Sequence, residues 1–416
     1  MMFAKMGVAN DKLAFFTSLL YFPWFLKGLW SPFIDTIRTK RWWIITMQLL
    51  ITILCVLLTL TLPYPDAQDM LNKTTPIGPF WITLVLFIFT AFASATHDIA
   101  ADGYYMLAHD SGSQSKFIGI RSTFYRISML FVQGGLVYIA GIVEQITENV
   151  PVSWQITLGC AAVIMCLATL YHIFTLPKVE VESGQDTSFK VRGENIKQAF
   201  STFFTKPGIL LAILFMLLYR LPEGLLIKLA MPFLVDNKEV VFRDGQIFGG
   251  GLGLDTATVG VLYGTFGVIA LLAGGILGGL YISKRGLKHS LWPMAAMLTL
   301  PNIVYVLLSA FQPDSLWLIG SAIVFEQFGY GFGFTAYMLY MMYFSDGEYK
   351  TSHYAICTAF MALSMMLPGF VAGSIELAVG YQWFFWIAIF CSIATALVTW
   401  FVHRNLNESY GKEQTK

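Results

Sequence analysis

The chain has 416 residues, of which 56% are hydrophobic, 16% aromatic and only 12% charged. An ordinary soluble domain carries roughly 25% charged residues. With a mean hydropathy of +0.65, the composition excludes a soluble fold and indicates an all-α polytopic membrane protein, while a net charge of +1 gives no basis for a nucleic-acid partner.

Eleven apolar stretches read as spans: 13–34, 43–63, 79–107, 117–143, 154–176, 208–231, 258–282, 291–311, 316–345, 353–379 and 382–403. Each is near or above the ~20 residues a helix needs to cross the hydrocarbon core. They are too long and too uniformly apolar for barrel strands. The five cysteines all fall inside these stretches, so no disulfide framework is expected. The first twelve residues contain no signal-peptide core.

The loops assign orientation. Arg38, Lys40, Arg41, Lys116, Lys284, Arg285, Lys288 and Lys350 sit in alternate connections, together with five Lys/Arg in the linker 177–207. The remaining connections hold only Lys5, Lys12, Lys73, Lys238 and Arg243. The positive-inside rule places the first set and the C-terminus in the cytoplasm. The polar linker divides the chain into an N-terminal lobe of five spans, 1–176, and a C-terminal lobe of six spans, 208–403, followed by a tail, 404–416. One long cytoplasmic loop between two bundles is the organisation of a two-lobed carrier. A weak internal repeat agrees: "GVANDKLAFFTSLLY" from Gly7 parallels "GLDTATVGVLYGTFG" from Gly253, each followed by a span and a basic loop.

Charges inside spans are costly and normally face protein or a wet cavity. Taken in order, Lys27 lies in the first span, in the cavity or snorkelling. Asp35 ends that span beside Arg38, Lys40 and Arg41, a cluster suited to locking the cytoplasmic side. Asp98 and Asp102 share a helix face with Tyr105 and are candidates for substrate binding or proton coupling; the alternative is an ion-pair lock with Arg126 or Arg121. His97 points elsewhere, as a satisfied core histidine. Arg126 lies well inside its span and calls for a carboxylate or an anionic substrate. Arg220 and Glu223 are at i, i+3 and can pair, with Pro222 as a hinge and Lys228 one to two turns on. Glu326 is a lone acid among glycines 329, 331 and 333, a proton-site candidate. Gly274/Gly278 and Gly275/Gly279 read as packing seams. "GGGLGLDTATVG" lacks the spacing of a nucleotide loop. No nucleophile or metal-ligand set accompanies His97-Asp98 or His109-Asp110, so no catalytic residue, cofactor or metal is expected.

"FLKGLWSPFIDTIRTKRWW" resembles the second-span signature and basic loop of the major facilitator superfamily in the form used by AmpG muropeptide permeases. "HDIAADGYYML" resembles a Q-D-I-x-x-D-[GA]-[WY] segment of AmpG and of the related acetyl-coenzyme A transporters, with His97 in place of Gln. "YRISMLFVQGG", "YRLPEGLLIKLAMPFLV" and "FEQFGYGFGFTAYMLYM" follow in the same order, with Arg220 and Glu223 where AmpG would offer Lys and Asp. The resemblance implies a two-lobed helical bundle in the inner membrane that imports anhydro-muropeptides with protons and works as a monomer. It leaves as alternatives an acetyl-coenzyme A or other anionic-metabolite carrier, a membrane sensor without transport, and, remotely, a membrane enzyme. It also implies that a first helix of a twelve-span fold is missing from this chain, because only six residues precede Gly7. Such a helix would leave a groove in the first lobe, with "MMFAKM" as its outer end.

Overall fold

The computed structural model describes residues 1–36, 38–108, 124–125, 127–178, 197–198, 200–347, 350–408 and 410–411. Helices dominate, because backbone polar groups in lipid must be satisfied within their own segment. The strands found among the described residues are Val241–Arg243 and Gln246–Phe248, an antiparallel hairpin pairing Val241 with Phe248.

Among the described residues eight helices are long and apolar enough to cross a membrane: Lys40–Thr61, Gly78–Tyr105, Ile127–Thr147, Val150–Thr175, Ile209–Val235, Thr256–Arg285, Leu287–Phe311 and Ser352–Asn405. The other expected spans differ for local reasons. The 13–34 stretch breaks at Leu20 and Tyr21 into Asn10–Leu19 and Phe22–Thr36, each too short alone. The 316–345 stretch is one helix, Leu316–Ser345, but Glu326, Gln327 and its glycines lower its hydropathy. The last two stretches run together as one helical segment until Gly380, whose φ of 76° turns the chain. The residues of "MMFAKM" form a short helix, Met2–Lys5, whose Met2 and Phe3 are buried against Phe80 and Trp154.

Two helices carry wide π-type turns, Phe131–Leu136 and Gly260–Gly267. These turns meet across the bundle. A side chain on Gly264 would overlap the carbonyl of Gln133, and one on Gly134 would overlap Thr265. A second seam joins Asn10–Leu19 to the helix beginning at Lys350, where a side chain on Gly373 would overlap the backbone of Asn10. The Gly274/Gly278 pair packs as expected against Phe328 and Phe332, and Gly329, Gly331 and Gly333 let Met297, Leu271 and Met294 approach. Gly275 approaches Gly331 through its backbone and accepts from Thr335, whereas nothing lies within 4 Å of a Cβ built on Gly279, so that position faces away from the seam.

Candidate functional site

The helix that would run through 209–235 is interrupted at Arg220, whose φ of −105° makes it the N-cap of Leu221–Val235. Pro222 occupies the first turn, where its missing N–H is not needed. The interruption turns Arg220 back onto Glu223. Arg220 Nε donates to Glu223 Oε2 at 2.9 Å and Nη2 to Oε1 at 2.6 Å, the two-pronged geometry that only a guanidinium offers. Nη2 also reaches the Tyr330 hydroxyl at 3.1 Å. The guanidinium carbon lies 4.5 Å from the Phe334 ring centre. Both charged side chains are only 5% exposed.

Glu326 is buried on the neighbouring helix and accepts from Gln327 Nε2 at 2.9 Å. The same Nε2 donates to the Tyr263 hydroxyl at 3.1 Å. Glu326 is therefore not the isolated acid that its sequence suggests. The charges of Arg220 and Glu223 also act on Tyr21, at the break between Asn10–Leu19 and Phe22–Thr36. Lys228 completes the group. It is 8% exposed, and its ammonium lies 4.6 Å from the Tyr21 ring centre. A side chain on Gly369 would meet Lys228 Cε at 2.6 Å and overlap Ser18, so the lysine sits where the two halves of the chain touch. Among the described residues no ion pair or hydrogen bond of this ammonium is seen, and it faces the Tyr21 ring.

The N-terminal acids have a different setting. Asp98 pairs with Lys27 Nζ at 3.2 Å, and the two side chains are 40% and 23% exposed. Lys27 thus has a counter-charge within reach. Asp102 and Tyr105 follow on the same helix, both half-buried. His97 bonds to Gln48 Nε2 at 3.1 Å, and Gln48 Oε1 takes His172 Nδ1 at 3.0 Å, the satisfied core histidine that was expected. Arg126 and Arg121 lie outside the described residues, as does the side chain of Asp35.

The basic cluster is only partly a cluster. Arg41 donates to the carbonyls of Leu176 at 2.8 Å and Ile173 at 2.6 Å, closing the C-terminal end of Val150–Thr175. Lys40 is buried, donates to Ile34 O at 3.1 Å, and lays its stem over Gly103. Arg38 is exposed in a left-handed conformation.

At the end of the bundle away from these basic loops lies a network that sequence reasoning missed. Asn10 Nδ2 donates to Glu376 Oε2 at 2.9 Å and lies 2.8 Å from the Tyr381 hydroxyl. Tyr381 donates to Asp236 Oδ2 at 2.7 Å, and Lys73 pairs with the same Asp236. Glu376 sits near the end of an apolar stretch and reads as a boundary residue; only its "AGSIELAVG" setting signals burial.

The match to known proteins agrees with this geometry. Residues 7–367 match the model of the Major Facilitator Superfamily. A protein named "Putative transporter AmpG 4" of Rickettsia conorii is 24% identical over 392 residues, covering 92% of this chain and 86% of its own. "Putative transporter AmpG 3" of Rickettsia typhi is 24% identical over 375 residues, covering 86% and 79%. Among solved structures, the xylose transporter XylE of E. coli superposes with a TM-score of 0.66 at 11% identity, covering 96% of this chain and 89% of that one. A bacterial homologue of the human lysosomal transporter Spinster, in an inward-facing conformation, gives 0.65 at 14%, covering 97% and 91%. The fold is therefore the two-lobed bundle expected from sequence, and the protein is a multi-pass membrane transporter rather than an enzyme. The chain belongs to the Major Facilitator Superfamily and within it is similar to the AmpG transporters.

Proposed function

We propose that this transporter imports anhydro-muropeptides, or a closely related carboxylate-bearing metabolite, from periplasm to cytoplasm in symport with protons. The AmpG names of its relatives support the substrate. The observation that carries the reading is Lys228, an ammonium at the meeting of the two halves that faces the Tyr21 ring and, among the described residues, has no ion pair. A buried cation without a counter-charge is unfavourable until an anion arrives, and the peptide carboxylates of a muropeptide supply one. Arg220 and Glu223 shape the pocket beside it, and Tyr21, Tyr105 and Tyr330 offer faces for the sugar rings. A proton is carried through at least one of Asp98, Asp102, Glu223 and Glu326, with Arg126 as an exchange partner. Asp35, Arg38, Lys40 and Arg41 hold the cytoplasmic end in one access state. The lobes we assign are 1–176 and 208–403, joined by 177–207, in a monomer of the inner membrane with its tail, 404–416, in the cytoplasm.

The test is uptake by proteoliposomes. Labelled GlcNAc-anhydroMurNAc-peptide is expected to accumulate when the outside is acid, and collapse of the gradient abolishes accumulation. Lys228→Met is expected to raise KM at least tenfold, corresponding to the ~1.4 kcal/mol lost with one charge-assisted contact. Uptake of labelled acetyl-coenzyme A in place of the muropeptide would overturn the substrate. Accumulation indifferent to the gradient would overturn the coupling.

A further inference from the structure

The network at the end away from the basic loops has more negative than positive charge. Three carboxylates meet there: Asp11 from the helix Asn10–Leu19, Asp236 from the end of Leu221–Val235, and Glu376 from the helix beginning at Lys350. Among the described residues one side-chain cation faces them, Lys73. Lys73 is committed to Asp236 and also donates to Asn10 Oδ1 at 3.3 Å. Tyr381 is committed to Asp236 as well. Asn10 gives one N–H to Glu376 and the other toward the Tyr381 hydroxyl, so its donors are exhausted. Glu376 is 1% exposed, yet its Oε1 has no hydrogen-bond partner. Asp11 Oδ1 is likewise sealed from solvent and without a partner. The two helices that carry these carboxylates pack directly on each other, since Gly373, one turn before Glu376, meets the backbone of Asn10 and Asp11.

A sealed carboxylate oxygen with no donor costs the full desolvation of that group. The missing ligand is small, positive and oxygen-seeking. We propose that Glu376 and Asp11 form a loading site for one small cation, a proton or a sodium ion, which must be filled before this end of the bundle can close. When the halves part here, the bonds from Asn10 to Glu376 and Tyr381 and from Lys73 to Asp236 break together, and water solvates each carboxylate. Closure expels that water. It is favourable only when a cation replaces it, a proton carried by one of the acids or a sodium ion held by their oxygens. Filling the site therefore drives closure, which converts a cation gradient into one direction of the transport cycle. This site lies away from Glu223 and Glu326 and adds a second place where coupling acts. It rests on the reading of the chain as a cation-driven carrier, and its test needs no substrate, so failure of muropeptide uptake and failure of this site are separable.

Spin labels on unnatural amino acids at Ile146 and Phe311, exposed positions of the two halves at this end, report the gap between them by pulsed electron resonance in proteoliposomes. In otherwise wild-type protein the short, closed distance is expected to dominate at acid pH and a longer population to appear as pH rises. Glu376→Gln, which supplies a donor without a charge, is expected to lose the long population at every pH; Asp11→Asn is a second variant of the same kind. Sodium chloride added at alkaline pH closes the gap if the cation is sodium, and choline chloride does not; if neither salt closes it, the proton is the ligand. The proposal is overturned if the wild-type distance ignores both pH and sodium. It is equally overturned if a folded Glu376→Gln opens with pH as the wild type does.

Discussion

Two ion pairs, Lys27–Asp98 and Arg220–Glu223, stand in membrane helices on either side of the seam. The first joins two helices, and its side chains are 23% and 40% exposed; the second closes one helical turn, and both side chains are 5% exposed. Their surroundings follow the same division. In the most apolar part of each spanning helix, 17–33% of residues are buried by protein before the linker, against 33–56% after it. An ion pair surrounded by aromatic rings and backed by Tyr330 has no water to replace a lost partner. One at the margin of the fold does. The buried pair therefore costs more to break than the more exposed one.

The largest break in this comparison comes from Glu223→Ala. It leaves the Arg220 guanidinium buried and uncompensated, and stability is expected to fall by about 3–5 kcal/mol in detergent unfolding. Replacing both partners, Arg220→Met with Glu223→Leu, is expected to restore most of it, because the desolvation cost leaves with the charges. Recovery no better than that of the single variant would mean that the pair contributes more than mutual neutralisation.

A smaller effect tests whether tight packing maintains the C-terminal setting. Gly331→Ala forces a methyl into the Leu271 carbonyl and is expected to cost about 1–3 kcal/mol. Gly279→Ala, on the same kind of glycine row but facing nothing, is expected to change stability by less than about 0.5 kcal/mol. Equal losses at both positions would remove the distinction between the seam and its open side.

The smallest stability effect is expected at the N-terminal pair. Asp98→Asn should alter unfolding by less than about 1 kcal/mol, as for exposed ion pairs. Proton-driven uptake by the same variant is expected to fall at equal protein level. Undiminished uptake would remove Asp98 from the proposed coupling acids, and a large stability loss would show that the exposed pair is structural after all.

How much of this was legible depended on sequence distance. Arg220–Glu223 could be read directly, because i, i+3 spacing on a helix fixes proximity. The break at Pro222 and the close approach at Gly329, Gly331 and Gly333 were local features of the same kind. Lys27 and Asp98 were each visible as costly charges, but 71 positions separate them, and no local rule pairs them. Glu376 escaped notice because its partner Asn10 is 366 positions away. The difference between Gly278 and Gly279 was equally hidden. One faces a neighbouring helix and the other does not, and a row of glycines carries no record of which.

The amino-acid sequence by itself determined that the chain is helical and membrane-bound. Long apolar stretches in a solvent without hydrogen bonds admit little else, and the signature segments point to the family. Tertiary structure alone decided which charges meet. It placed Lys228 against the Tyr21 ring, tied Arg41 to the helix-end carbonyls of Ile173 and Leu176, and left, among the described residues, oxygens of Glu376 and Asp11 sealed and unpaired. The physical reason is that hydropathy adds up residue by residue along a chain, whereas the energy of a buried charge is set by the few atoms the fold brings within reach of it.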